Sequence, residues 1–335
     1  MKARVLVTHP GDKLQSYFGD RALDALHAVA EVRLNPQARD LPTEELIAAA
    51  ADCDALIAYR QTPGPARLFE ALPRLKAFIR CAMDIRTVDV PAASACGVLV
   101  TQCGPGFNVA VAEWIVGAMI DLARGTSRYV QAYQRGAPPM PVMGRELRGS
   151  TLGIVGFGGI GSTLAPLGRA FGMQLLVSTP QRIEPQGGVR QVELPVLLAG
   201  ADFVVCLAPA NPQTAGLFGT AAFAAMKPDA FFINASRGEL VDEAALLQAL
   251  EAGRLAGCAL DVGMAPDQMP GPALARHPRV LATPHIGGLT LPAIEYQALE
   301  TVSQLTALLQ GRMPVGAVNA REASRLRQAG WGPTT

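Results

Sequence analysis

Three short stretches carry the residue types that small-molecule chemistry needs. They are Asn234-Ala235-Ser236-Arg237-Gly238, the single Asp261, and Thr283-Pro284-His285-Ile286-Gly287-Gly288. Each follows a short apolar run that reads as a buried strand. In an open parallel sheet, ligands sit beyond the carboxyl ends of the strands, so polar residues at those ends are the ones to examine. A guanidinium at one strand end can hold a carboxylate bidentately. An imidazolium at a neighbouring end can donate a proton as hydride arrives at a carbonyl carbon. Arg237 and His285 could therefore converge on one small anion with a reducible carbonyl.

A hydride source is suggested upstream, in Thr151–Ser178, TLGIVGFGGIGSTLAPLGRAFGMQLLVS. An apolar run over 151–155 ends at Gly156, a helical period occupies 162–171, and a second apolar run follows at 175–177. That order gives G-x-G-x-x-G its meaning as a dinucleotide site. Gly156 permits the tight turn, Gly158 lets backbone approach a pyrophosphate, and Gly161 lets the helix pack close to the strand. The helix N-terminus supplies free N–H groups and partial positive charge.

These residues need a scaffold, and the chain supplies one twice. In residues 1–101, strand patterns at 4–8, 32–34, 55–58, 77–81 and 98–101 alternate with helical patterns at 17–30, 44–51, 66–72 and 90–95. Regular βα alternation implies a parallel sheet covered on both faces. Gly104-Pro105-Gly106 breaks the pattern as a hinge, and an apolar helix is expected over 109–123. Residues 124–148 show no clear period and read as an extended arm. From Thr151 a second series begins, with strands expected at 152–155, 174–178, 203–207, 230–234, 257–262 and 280–283. A last helix over 293–309 crosses back to the first series, and 321–335 reads as a loose tail. The expected fold is α/β: two Rossmann-like, doubly wound parallel-sheet domains, the first discontinuous in sequence. Residues 1–103 with 290–335 form one domain and residues 104–289 the other.

Length and composition are compatible with this. At 335 residues the chain suits two domains. With 29 basic and 28 acidic residues it has no electrostatic case for nucleic acid or an anionic membrane surface. No apolar run approaches about 20 residues, so no spanning helix is expected, and the first residues enter a strand without a signal-peptide core. The six cysteines lack metal-ligand spacing. Free thiols in a reducing cytoplasm, with no metal, is the expectation.

At GIVGFGGIG, MKPDAFFINASRGELVDEAAL, GCALDV and TPHIGG the chain resembles the D-isomer-specific 2-hydroxyacid dehydrogenase family. Weaker likeness appears at Tyr59-Arg60-Gln61-Thr62-Pro63, Leu72-Pro73-Arg74-Leu75-Lys76 and Val88-Asp89-Val90, and the resemblance runs from about residue 50 to 320. It implies an NAD(P)-dependent oxidoreductase moving hydride between nicotinamide and C2 of a small 2-oxo or 2-hydroxy acid of the D series. The discontinuous domain would bind substrate and the other the dinucleotide, with a homodimer formed through 109–148. Arg237 matches the substrate-binding arginine and His285 the acid/base. Cofactor contacts are implied at Gly156, Gly158, Gly159, Ile160, Gly161, Thr179, Arg182, Leu207, Pro209, Ala235, Ser236, Arg237, Asp261, His285 and Gly287. Substrate contacts are implied at Met83, Asp84, Arg237 and His285. Alternatives are a member with altered substrate, or a non-catalytic dinucleotide-sensing protein similar to the family's co-repressor branch.

Four departures qualify the likeness. The family's catalytic glutamate lies in D-V-F-x-x-E-P, where this chain reads Asp261-Val262-Gly263-Met264-Ala265-Pro266-Asp267-Gln268-Met269-Pro270. Counting from Asp261 puts Pro266 at the glutamate; counting back from Pro270 puts Asp267 there. Only the second register keeps a carboxylate to orient His285, and Asp267 is the expected partner. The acid that binds ribose hydroxyls in NAD-preferring members is replaced by Thr179, and Arg182 could meet a 2′-phosphate, which favours NADP over NAD. The family's L-H-x-P reads Cys206-Leu207-Ala208-Pro209, without its histidine. Finally, the substrate loop reads Cys81-Ala82-Met83-Asp84-Ile85-Arg86, with Asp84 in place of a glycine. That carboxylate would repel a 2-oxoacid unless it points away or pairs with Arg86.

Overall fold

The structure, a computed structural model, describes residues 2–184 and 187–331. The chain divides into two compact units, Met1–Gly106 with Leu291–Thr335, and Phe107–Thr290.

The first unit holds β1 (Ala3–Val7), β2 (Ala30–Leu34), β3 (Ala55–Ala58), β4 (Ala77–Arg80) and β5 (Leu99–Thr101), all parallel in the order β2-β1-β3-β4-β5. Successive side chains point to opposite faces of a strand, and both faces are apolar here. Val5, Val7, Ile57 and Ile79 pack with Leu26 of the helix Asp20–Val29 and Leu305 of the helix Leu291–Leu309. Leu6, Leu56, Phe78 and Val100 pack with Leu46 of Thr43–Ala50 and Phe69 of Ala66–Ala71. Each such burial contributes about 1.5–3 kcal/mol before entropy is set against it. The sheet is therefore interior on both sides, and its polar residues are pushed to the strand ends.

The second unit holds β6 (Thr151–Val155), β7 (Gln174–Ser178), β8 (Val189–Gln191), β9 (Phe203–Cys206), β10 (Phe231–Asn234), β11 (Gly257–Leu260) and β12 (Val280–Ala282). Their order is β12-β11-β10-β9-β6-β7-β8, all parallel. Strands are added in one direction from β6 to β8 and in the other from β9 to β12. The reversal falls between β6 and β9, and a crevice at such a switch point is where dinucleotides bind. The apolar helix Asn108–Arg124 covers one face, with Ile115 and Met119 against Leu152, Ile154 and Phe203. The two-domain doubly wound expectation holds.

Several local expectations change. The helix expected over 17–30 is two pieces, Leu14–Tyr17 and Asp20–Val29, because Gly19 between them takes a left-handed φ of 81°. Strand β8 has no counterpart among the expected strands: it is three residues at the sheet edge, half-buried at best, so it has no apolar signature. The arm contains a helix, Thr126–Gln134, with no buried residue and hence no period to detect. The tail is anchored rather than loose. Leu326 is buried, the Arg325 N–H donates to the Gly97 carbonyl, and Arg325 Nη1 donates to the Leu72 and Leu75 carbonyls. Residues 332–335 of that tail lie outside the described residues. Among the described residues no helix is long and apolar enough to cross a membrane, and no group of three or more His, Cys, Asp or Glu could hold a metal.

Candidate active site

The glycine turn follows β6, beside the switch point of the second sheet. Gly156 has a φ of 93°, and a Cβ there would lie 2.5 Å from the Ala208 nitrogen. A Cβ at Gly161 would lie 2.8 Å from the Gly156 carbonyl oxygen, whereas one at Gly158 would meet nothing within 4 Å. Two glycines thus permit close backbone contact, and the third leaves open space where a pyrophosphate would come. The helix Gly159–Ala170 begins at that opening, and no side chain caps it. The N–H groups of Gly159, Ile160 and Gly161 are its first-turn donors. Room, donors and dipole all fit a dinucleotide phosphate.

Beyond β7, Thr179 Oγ1 lies 3.0 Å from Gln181 Oε1, and Gln191 of β8 ties the loop with bonds to the Thr179 and Gln181 carbonyls. The edge strand β8 therefore sets the loop that would meet the ribose. Arg182 is exposed on it and forms no ion pair among the described residues.

Asn234 ends β10 almost fully buried, and its side chain builds the next turn. Its amide nitrogen donates to the Arg237 carbonyl at 2.9 Å and its oxygen accepts from Ser236 N–H at 3.1 Å. Ser236 Oγ donates to the Ala208 carbonyl at 2.5 Å, which joins this turn to Leu207-Ala208-Pro209 after β9. Ala235 and Arg237 are half-buried on it, and Arg237 Nη1 donates to the Ser236 carbonyl at 2.8 Å. A Cβ on Gly238 would lie 2.3 Å from the Gly263 carbonyl. The Arg237 turn thus runs backbone against backbone with the loop after β11.

Asp261 follows β11 and shapes the histidine turn. Its Oδ1 accepts from Thr283 Oγ1 at 2.7 Å and from Ile286 N–H at 2.8 Å, while Oδ2 accepts from Gly287 N–H at 2.7 Å. This buried carboxylate holds three donors of one turn, and a Cβ on Gly287 would press within 2.8 Å of it. The family resemblance implies a cofactor contact for Asp261; the role the geometry shows is fixing His285 in place.

His285 has a φ of 57°, and Asp267 and Gln268 each have 58°; among the described residues these are the non-glycine positions with left-handed backbone. Such conformations cost of order 1–3 kcal/mol each and persist only where the surroundings enforce them. At this place His285 Nδ1 lies 3.1 Å from the main-chain carbonyl oxygen of Asp267. The register counted back from Pro270 thus brings Asp267 beside the imidazole, and its main-chain carbonyl is one partner of the ring. A carbonyl can only accept, so Nδ1 carries the hydrogen of that bond. Glu243 braces the same loop, accepting Met264 N–H on Oε1 at 3.0 Å.

Met83 and Asp84 belong to the first unit, on the loop after β4. Asp84 pairs with Arg86, its Oδ2 2.9 Å from Nη2, and also accepts the Arg86 N–H at 2.9 Å. Of the two possibilities left open for this carboxylate, pairing is the one present. Arg80, absent from the candidate residues drawn from the sequence, anchors the loop. It is 1% exposed, and its guanidinium donates to the carbonyls of Tyr59 at 2.7 Å, Thr62 at 2.6 Å and Asp84 at 3.1 Å, and also bonds Thr87. Burial pushes its pKa down to about 10, so it stays charged at neutral pH. The signal is present in the sequence: a charge closing an apolar strand must find partners. Arg80→Met should cost about 2–3 kcal/mol by stranding those acceptors. The midpoint of urea unfolding would report it, and an unchanged midpoint would show the acceptors find water instead.

Comparison with known proteins gives a consistent picture. Residues 116–287 match the model for the D-isomer specific 2-hydroxyacid dehydrogenase NAD binding domain. D-3-phosphoglycerate dehydrogenase of Rattus norvegicus is 34% identical over 84% of this chain and 54% of its own length. The chain thus spans about half the length of such curated relatives. Glyoxylate reductase of Aeropyrum pernix is 32% identical over 92% of this chain and 96% of its own. The crystal structure of the TT0316 protein of Thermus thermophilus superposes with a TM-score of 0.86 at 31% identity, covering 94% of this chain and 99% of that one.

Proposed function

The chain belongs to the D-isomer specific 2-hydroxyacid dehydrogenase family, and from that premise we propose that it is an NAD(P)-dependent reductase of small 2-oxoacids, yielding the D-2-hydroxy acid. The observation that carries this reading is the His285 turn: a strained histidine whose turn is held by Asp261 and whose Nδ1 meets the Asp267 carbonyl. A reduced nicotinamide supplies the hydride when bound. Arg237 holds the substrate carboxylate and steadies the carbonyl oxygen as it gains charge. His285 Nε2 gives its proton to that oxygen, and the Asp267 carbonyl retains the Nδ1 hydrogen throughout. A panel of small 2-oxoacids assayed with NADPH and NADH tests the reading. Dinucleotide binding without turnover of any of them would favour the sensing alternative.

For the cofactor we favour NADP. Arg182 is an exposed guanidinium that forms no ion pair among the described residues, on the loop where Thr179 replaces an acid. Arg182→Ala should reduce the preference for NADPH by about 1–3 kcal/mol, the scale of a charge-assisted hydrogen bond. Ratios of kcat/KM with the two cofactors measure this, and an NADH-preferring enzyme indifferent to the substitution would refute it.

A homodimer through residues 109–148 is supported by apolar side chains standing in water there: Val130, Tyr133, Met140, Val142 and Met143 are 48–96% exposed. Isolated apolar side chains are ordinary, but a run of them suits a subunit contact. Met143→Glu with Val142→Glu should yield monomers by size-exclusion chromatography with light scattering. A cytoplasmic location is supported by six free cysteines, five of them buried.

A further inference from the structure

The first unit carries, at the carboxyl ends of its strands, two thiols that the proposed reaction does not use. Val7, Ile57, Ile79 and Thr101 stand side by side on β1, β3, β4 and β5. Side chains two residues apart share a face of a strand. Continued two residues past these four, the alternation gives His9, Tyr59, Cys81 and Cys103, all buried. An apolar face thus ends in a row of groups that can hold and exchange protons. The helix Leu291–Leu309 covers this face, with Ala298 and Val302 packed in the cluster that contains Cys81.

Cys103 is tied to Cys81 through the residues on either side of it. Its Sγ donates to the Arg80 carbonyl at 3.2 Å, and its N–H donates to the Ala82 carbonyl at 3.0 Å. Neighbouring strands lie roughly 4.7–4.9 Å apart, inside the Cα separation that a disulfide spans. The His9 ring packs beside Phe18 and Tyr59, with centroids 5.2 Å and 5.0 Å away. Both His9 ring nitrogens are buried without an oxygen or nitrogen partner among the described residues, which leaves the imidazole to act on the thiol. The Cys103 thiol, then His9 and Arg80, favour the ionised form of Cys81 and bring it down to about 6 against the opposing effect of burial. Cys103 is pushed up, first by its bond to Cys81 and then by burial, with Glu300 of the covering helix adding to the effect. Burial also pushes up Cys53, Cys206 and Cys258. Cys81 is thus primed as a nucleophile, and Cys103 stands ready beside it.

We propose that Cys81 and Cys103 form a modification site at which a small hydroperoxide converts the two thiols to a disulfide. The Cys81 thiolate attacks one peroxide oxygen and the O–O bond breaks. The leaving hydroxide takes the proton that Cys81 passed to His9 and departs as water, and Cys81 is then a sulfenic acid. Cys103 Sγ attacks that sulfur, so that the S–S bond forms and the S–O bond breaks. The Cys103 proton leaves with the hydroxide as a second water. The two thiols together lose two electrons, and the peroxide gains them. In a reducing compartment the pair rests as thiols, and the link forms only under oxidation. Cys81 opens the loop that carries Met83 and Asp84, so the link ties the base of that loop to the end of β5. The proposal is independent of the reaction assigned above.

Hydrogen peroxide in small excess, applied to the folded full chain, is the probe. Thiols are alkylated before and after reduction and read by peptide mass spectrometry. Cys81 and Cys103 should appear as one linked peptide pair that dithiothreitol releases, while Cys53, Cys96, Cys206 and Cys258 remain alkylatable once the chain is unfolded. Cys103→Ser should stop at the sulfenic acid on Cys81, trapped by dimedone, and Cys81→Ser should abolish the reaction. The rate should rise with pH through a midpoint of about 6, the value for Cys81. The titratable and charged groups facing the pair are His9, Tyr59, Arg80 and Glu300, and the imidazole is the one whose removal isolates the effect. His9→Phe keeps a ring against Phe18 and Tyr59, and should slow oxidation at pH 5 about tenfold by moving that midpoint upward. Failure of the two thiols to link in the parent protein, oxidation of the half-buried Cys96 ahead of Cys81, or a midpoint at the ordinary thiol value of about 8.5 would each overturn the proposal.

Discussion

Replacing His285 with alanine should lower kcat for 2-oxoacid reduction by about 10²–10⁴, the usual contribution of a positioned proton donor. The geometry isolates this effect unusually well. Asp261 holds the turn through the main chain of Ile286 and Gly287 and through Thr283, with no hydrogen bond to the imidazole among these. Truncating the ring therefore removes the proton donor and leaves the turn's own hydrogen bonds in place. Cofactor affinity should barely move, and the fall of rate at high pH that a titrating acid imposes should vanish with the side chain. A variant with near-normal turnover would remove His285 from the proton-transfer step. Asp267→Asn gives a companion result that differs from the one a carboxylate partner implies. The contact to Nδ1 is made by the main-chain carbonyl, which asparagine keeps, and asparagine tolerates left-handed backbone. The substitution should thus cost much less than removal of the histidine. A drop in kcat as large as that of His285→Ala would show that the Asp267 carboxylate itself is required.

Why some of this is legible in the sequence and some is not follows from what each feature depends on. The glycine turn is legible because each glycine answers a local demand, a left-handed φ at Gly156 and a close approach at Gly161. The buried strands are legible because a sheet covered on both faces makes continuous apolar runs. Strand β8 and the helix Thr126–Gln134 bury almost nothing, so no hydrophobic pattern marks them. Arg237 and His285 stand out as reactive types at strand ends. The residues that hold them, Asn234 and Asp261, act through main-chain donors and carbonyls brought close only by folding. The contact between Asp267 and His285 shows the limit most clearly: counting residues finds the position, but the left-handed backbone beside the Asp267 carbonyl that meets Nδ1 leaves no mark in the residue types.

Arg237 should prove as sensitive as the histidine, with a different signature. Arg237→Ala is expected to lower kcat/KM by roughly 10²–10⁴, the 2–5 kcal/mol forfeited when one partner of a desolvated, hydrogen-bonded charge pair is truncated. Because the guanidinium would bind both the carboxylate and the oxygen that gains charge, KM should rise and kcat should fall together. Asn234 fixes the main chain of residues 236 and 237 independently of the Arg237 side chain. Arg237→Lys should recover little, since an ammonium is a point charge that cannot reproduce the planar fork. Gly238→Ala tests the positioning separately. Its Cβ would press on the Gly263 backbone, forcing the Arg237 turn away from the loop that holds His285 while every reactive group stays intact. A large loss in Gly238→Ala alongside a large loss in Arg237→Ala would establish that the guanidinium must be aimed as well as present. Near wild-type kcat/KM in Arg237→Ala would instead place the substrate carboxylate on other residues, and the assignment of this turn to substrate binding would fall.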